Sequence, residues 1–250
     1  MTTRVGRRSR IGAGFRLAVL IVYPLMALFT KRDWVGLSRL TDEQGGIIIA
    51  ANHISWFDPL AISFALWHAD RPPRFLAKEA VFRVFFLGRV LRSAGQIPVY
   101  RETAEAVSSI RDALAALDRG ECVVVYPEGT ITRDPGLWPM AGKTGAARIA
   151  LASGRPLYPV AQWGPQEVMR PYVKELRLLP RKVMHVHVGD PVDLSDLRGR
   201  PLDTRTLQEA TERILAAITA LEAEIRGEEP PAIRYVHRRR TTEQPGGEAA

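Results

Sequence analysis

The chain has 250 residues, 46% of them hydrophobic, and a formal net charge of +8. That length suits one α/β domain with appendages and leaves little room for a second full domain. A single cysteine, Cys122, excludes an internal disulfide and a cysteine-based zinc cluster. All but five of the 35 basic residues are arginine, so the placement of the charge says more about partners than its sum.

Arg4, Arg7, Arg8 and Arg10 precede an apolar run from Phe15 to Phe29, and Lys31 and Arg32 follow it. A basic cluster against an apolar segment points to membrane lipid as the partner and not to nucleic acid. The run falls short of the roughly 20 residues of a spanning helix and contains Arg16 and Pro24. It therefore predicts an interfacial or half-inserted helix within a membrane-associating segment, residues 1–35. The flanking arginines keep it on the cytoplasmic face of the plasma membrane. No cleavage site of small residues follows Phe29, which argues against a secretory signal.

Apolar, β-branched runs then recur at Gly46 to Ala51, Arg74 to Lys78, Ile97 to Tyr100, Cys122 to Tyr126 and Leu157 to Ala161. Helix-compatible stretches separate them: Pro59 to His68, Glu79 to Ser93, Glu102 to Arg119 and Lys143 to Ser153. Alternation of this kind predicts an α/β domain over 36–226, a mixed, mostly parallel sheet flanked by helices. Within the second stretch, Phe82, Phe85 and Phe86 face either a core or an acyl groove and bilayer, and their exposure decides between the two.

Lys182 to Val188 alternates in period two, which puts His185 and His187 on one face. With no third ligand evident nearby in the sequence, a solvated or edge strand is expected, and no metal site. Asp203 is a plausible N-cap for a packing helix in which Leu207, Thr211, Ile214, Ile218, Leu221 and Ile225 recur at helical spacing. Residues 227–250 show no apolar period and are expected to form a disordered tail.

Chemistry concentrates at Asn52-His-Ile-Ser-Trp-Phe-Asp58-Pro. Five residues on an ideal helix rotate a side chain by about 140°, so His53 and Asp58 meet only if the chain turns between them. Pro59 supplies a cause for the turn, since it disfavours helix before itself and suits a first helical position. A histidine oriented by a carboxylate can take a proton from a hydroxyl as that hydroxyl attacks. Three further elements follow: Gly95 to Arg101, ending in an arginine; Tyr126-Pro-Glu-Gly-Thr130, a turn with a carboxylate at its lip; and Leu157 to Ala161. All can converge on one sheet edge, where α/β proteins bind ligands.

In this order the four elements resemble those of the 1-acyl-sn-glycerol-3-phosphate acyltransferase family, over roughly Gly46 to Gly164. The resemblance implies acyl transfer from acyl-CoA or acyl carrier protein to a lysophospholipid acceptor, with these as co-substrates and no further cofactor. It implies His53 as general base and Asp58 as its orienting partner, with Asn52 beside them. Lys78 and Arg101 match positions that hold the acceptor's phosphate, and Glu128, Gly129 and Thr130 match the acceptor-binding turn. Where the family has arginine after the threonine this chain has Ile131, with Arg133 two residues on, which opens the choice of acceptor to glycerol 3-phosphate or another lipid.

Two other readings are weighed against this one. Gly136 to Thr144 suggests a phosphate loop, but five residues separate Gly136 from the Gly142-Lys143 pair where such a loop needs four. Lys143 remains a candidate for an anionic substrate at the first turn of its helix. A non-catalytic, basic lipid-binding protein explains the anchor and the charge but not the His53/Asp58 pair.

Overall fold

The computed structural model describes residues 11–100 and 106–237. Its centre is a seven-stranded sheet whose strands are β1 (Thr30–Val35), β2 (Ile47–Ala51), β3 (Pro73–Lys78), β4 (Ile97–Val99), β5 (Cys122–Val125), β6 (Leu157–Trp163) and β7 (Lys182–Val188). They lie in the order β1-β7-β6-β2-β5-β3-β4. The five strands from β6 to β4 are mutually parallel; β7 runs antiparallel to β6, and β1 runs parallel to β7. This is the mixed, mostly parallel sheet that the alternating pattern predicts.

The central strands β2 and β5 are buried along their whole length, as their unbroken apolar runs require. Alternate residues serve two cores. Ile47, Ile49 and Val124 pack with α3 (Asp58–His68) on one face. Ile48, Val123 and Leu157 pack on the other with α6 (Ala106–Asp118), α7 (Gly145–Ser153) and α9 (Thr204–Arg226). Asp203 caps α9, its Oδ1 accepting from the Thr206 amide at 2.8 Å. Short helices α2 (Ser38–Asp42) and α8 (Pro165–Val168) complete the connections.

Four features differ from expectation. First, α1 (Ala13–Phe29) passes through Pro24 without a break and runs directly into β1. Residues 30–35, expected within the membrane-associating segment, thus form an edge strand of the sheet. At 1.5 Å per residue α1 is about 26 Å long, and among the described residues no helix is long and apolar enough to cross a membrane.

Second, the predicted helix from Glu79 to Ser93 breaks at Val84, whose backbone is extended, into α4 (Glu79–Phe82) and α5 (Phe85–Ser93). Gly88 makes this possible, because any side chain there would collide with the Phe82 carbonyl. Phe82 is buried, while Phe85 and Phe86 are 74% and 72% exposed.

Third, β7 is not an edge strand. β1 pairs along it from Thr30↔Lys182 to Val35↔His187, which covers the outer side of β7 and sets Asp33 opposite His185. Fourth, the first part of the expected tail follows the domain. The Ala141 amide donates to the Tyr235 carbonyl at 2.8 Å, and Arg234 meets Glu212 at 2.7 Å.

Candidate active site

Because β2, β3, β4, β5 and β6 are parallel, their C-terminal ends share one edge, and the predicted chemical residues gather there. His53 follows β2, Tyr126 follows β5, Lys78 closes β3, and Gln162 and Trp163 close β6. Arg101, assigned to phosphate binding on the resemblance, lies outside the described residues.

The loop from His53 to Phe57 provides the bend that brings His53 and Asp58 together. The helix N-cap is Phe57, so Asp58 is the first helical residue and its side chain turns back to the preceding loop instead of capping α3. Asp58 Oδ2 lies 2.7 Å from His53 Nδ1 and accepts the amides of Ile54 and Ser55 at 2.6 and 2.8 Å. Asp58 is fully buried, and burial raises its carboxyl above the ordinary value against the opposing pull of His53 and the two amides. One face of the imidazole stacks on Tyr126, centroids 4.1 Å apart. Burial of its hydroxyl pushes the Tyr126 phenol up, so it stays neutral at physiological pH. The imidazole is thus held at Nδ1 and across one face, with 14% of its side chain exposed.

Glu128 does not stand at a lip. It is buried, and its two oxygens accept the His53 amide at 3.0 Å and the Met140 amide at 3.1 Å. Thr132 closes the same link by donating its amide to the His53 carbonyl at 2.7 Å. Glu128 thus positions the His53 backbone, with one amide on each of its oxygens. Burial pushes its carboxyl up to about 8. Gly129 takes φ +70°, a conformation that disfavours other residues, and the side chain of Lys143 packs across it. Lys143 precedes α7 by two residues instead of lying in its first turn. Thr130 is half-buried beside it.

Asn52 is also occupied. Its Nδ2 donates to the Gln162 carbonyl at 3.0 Å and to Glu222 Oε2 at 2.9 Å, while its Oδ1 accepts the Gln162 amide at 2.9 Å. It thereby joins β2, β6 and α9. Glu222, pushed up to about 7 by burial, pairs with Arg226 at 3.1 Å. The Arg226 guanidinium lies over the rings of Trp138 and Trp163, 3.9 and 4.4 Å from their centroids. The i,i+4 spacing of Glu222 and Arg226 is visible in the sequence as a helical ion pair. Nothing in it links them to Asn52, 170 residues away.

Ile131, in place of the family's arginine, is buried, and its carbonyl accepts the Tyr172 hydroxyl. Arg133 is exposed, its guanidinium 5.0 Å from the centre of the Tyr172 ring. Lys78 is exposed at the end of β3.

The family model described as Acyltransferase matches residues 33–163, from within β1 to the end of β6. The chain belongs to the acyltransferase family. It is 29% identical over 177 residues to the 1-acyl-sn-glycerol-3-phosphate acyltransferase of Bacillus subtilis, covering 71% of this chain and 81% of that protein. It is 25% identical over 182 residues to the protein of that name from Streptococcus pneumoniae, covering 72% of this chain and 62% of the relative. Against a chloroplastic enzyme of that name from Brassica napus it is 27% identical over 153 residues, 61% of this chain but only 42% of the longer relative. The crystal structure of the 1-acyl-sn-glycerophosphate acyltransferase of Thermotoga maritima shares the fold, with a TM-score of 0.61 at 20% identity over 87% of this chain and 81% of the other. Helix α9, with Glu222 and Arg226, lies outside the matched family region.

Proposed function

We propose that this chain moves a fatty acyl group from acyl-CoA or acyl carrier protein to the free hydroxyl of 1-acyl-sn-glycerol 3-phosphate or a related lysophospholipid, a step of phospholipid biosynthesis. The observation that carries the reading is the 2.7 Å contact of His53 Nδ1 with a buried Asp58, at a sheet edge beside exposed cations.

In this reading Asp58 holds the imidazole in the tautomer that carries its proton on Nδ1, so Nε2 is the base. The acceptor hydroxyl gives its proton to Nε2 as its oxygen attacks the thioester carbonyl carbon. The resulting tetrahedral oxyanion collapses, the carbon–sulfur bond breaks, and the imidazolium returns the proton to the departing thiolate. The products are the ester and a free thiol, with no acyl group held on the protein. Asp58 stabilises the imidazolium during the interval, and Glu128 keeps the His53 backbone in place. Lys78, Lys143, Arg133 and Arg101 are the cations assigned to anionic groups of donor and acceptor, since phosphate rewards charge-assisted hydrogen bonds.

The apolar side chains of Leu20, Ile21, Leu25 and Leu28 on α1, with Phe85 and Phe86 on α5, are exposed. The two helices pack together. This supports a peripheral seat on the cytoplasmic face of the membrane, the surface from which a lysolipid would arrive.

His53→Ala tests the chemistry. Turnover of acyl-CoA with 1-acyl-sn-glycerol 3-phosphate should fall by about 10²–10⁴-fold while vesicle binding is retained. Transfer at the wild-type rate would overturn the mechanism. Mass spectrometry of the products from a panel of lysolipid acceptors, glycerol 3-phosphate included, identifies the acceptor.

A further inference from the structure

A cluster of potential ligands lies at the far side of the sheet from β4. We infer that Asp33, His185 and His187 form a binding site for one divalent transition-metal ion, bridging β1 and β7. Asp33 Oδ2 lies 2.6 Å from His185 Nδ1 and 3.6 Å from His187 Nε2, and the three ligand atoms lie within 4.8 Å of one another. Neighbouring donors around a tetrahedral zinc ion stand about 3.3 Å apart, as bonds of about 2.0–2.1 Å require. Only small side-chain adjustments separate the observed cluster from that spacing.

Backbone register produces the arrangement. Strict alternation on β7 sends His185 and His187 to the face opposite the buried Val186 and Val188. The parallel pairing Asp33↔His185 brings the carboxylate to the same side. Two imidazoles and a carboxylate form a donor set that zinc, cobalt and iron accept.

An ion pair alone leaves one atom unexplained. His187 Nε2 is buried without a hydrogen-bond partner among the described residues. Its separation from Asp33 is too long for a hydrogen bond. Buried nitrogens are rarely left so, and a metal ion would give this one a bond. Asp33 is 46% exposed at the side chain, which leaves an entry path for the ion.

The ion would also tie two elements together. β1 is the edge strand and continues α1 without an intervening loop, so a bond across β1 and β7 would clamp the strand from which the apolar helix extends. On its other side His185 stands in register with Trp163, the ring beneath Arg226. The proposal concerns stability and does not depend on the acyl-transfer reading.

The test uses the full chain without an affinity tag, stripped with a chelator and titrated separately with Co²⁺ and Zn²⁺. One equivalent of Co²⁺ should give visible absorption bands of a nitrogen- and oxygen-ligated ion. Zn²⁺ at about a hundredfold over its Kd should raise the midpoint of thermal unfolding by about 5–10 °C. Both effects should disappear in His185→Ala/His187→Ala, and Asp33→Asn should weaken binding. In the unmodified chain, ring-nitrogen NMR signals of His185 and His187 should shift on adding Zn²⁺, a readout that does not depend on any variant folding. Absence of saturable binding, unchanged histidine signals, or Co²⁺ bands that persist in the double variant, marking an adventitious ion elsewhere, would overturn the assignment.

Discussion

Glu128 offers a sharp test of how the site is held, because both of its oxygens are committed to backbone amides, His53 at 3.0 Å and Met140 at 3.1 Å. Glu128→Ala strands two buried donors. At about 1–3 kcal/mol for each unsatisfied group, the loss should be about 2–6 kcal/mol of folding stability. Glu128→Gln keeps one carbonyl acceptor but turns an amide NH₂ toward the other backbone N–H, so its loss should be about 1–3 kcal/mol. Since the His53 amide is one of the two, the glutamine variant should also misplace the imidazole, and an error near 1 Å lowers turnover by about 100-fold. Urea unfolding followed by tryptophan fluorescence measures the first effect, and steady-state acyl transfer measures the second. A glutamine variant within about 0.5 kcal/mol of wild type and with unchanged kcat would refute the claim that Glu128 organises the His53 loop.

The same residue predicts a pH dependence. Burial holds Glu128 near 8 and Glu222 near 7, against 4.5 for an ordinary glutamate. The folded chain then keeps protons that the unfolded chain has released, so these groups favour folding most below pH 4.5 and their contribution is lost as pH rises toward 8. Each proton gives a slope of about 1.4 kcal/mol per pH unit, and Glu128→Gln should remove the part that extends above pH 7, as unfolding free energies measured at a series of pH values will show. Phe85→Ser/Phe86→Ser should lower affinity for anionic vesicles by about 100-fold, taking about 1.5 kcal/mol for each phenyl ring withdrawn, with thermal stability nearly unchanged; undiminished co-sedimentation would remove α5 from the membrane surface. Gly129→Ala places a Cβ 3.3 Å from Lys143 Cδ at a φ of +70° and should cost about 1–2 kcal/mol, read as a lower unfolding midpoint; an unchanged midpoint would show that the turn relaxes freely.

How far the primary structure reaches can be judged residue by residue. The strands were visible because β2 and β5 are buried on both faces and must be continuously apolar, while β7 has one polar face and must alternate. His53 and Asp58 were visible because the turn joining them is local and Pro59 marks it. Helix α1 was visible as an apolar run bounded by basic residues, although its direct continuation into β1 was not: Thr30 to Val35 has no strong strand pattern and is ordered by pairing with β7.

Direction and distance lay beyond the sequence. Glu128 reads as a polar residue in a Pro/Gly turn, and only packing shows that it points inward to two amides. Asn52 reads as a sequence neighbour of His53, but its side chain is bonded to Gln162 and Glu222, from β6 and α9. Asp33 lies 152 residues from His185, and no local pattern brings them to 2.6 Å. Local sequence determined the central strands, most helices and the His53–Asp58 turn, because apolar periodicity and proline chemistry act over a few residues. Tertiary structure alone decided that Glu128 holds the His53 loop and that Asp33, His185 and His187 meet across β1 and β7, because those contacts depend on sheet order and register.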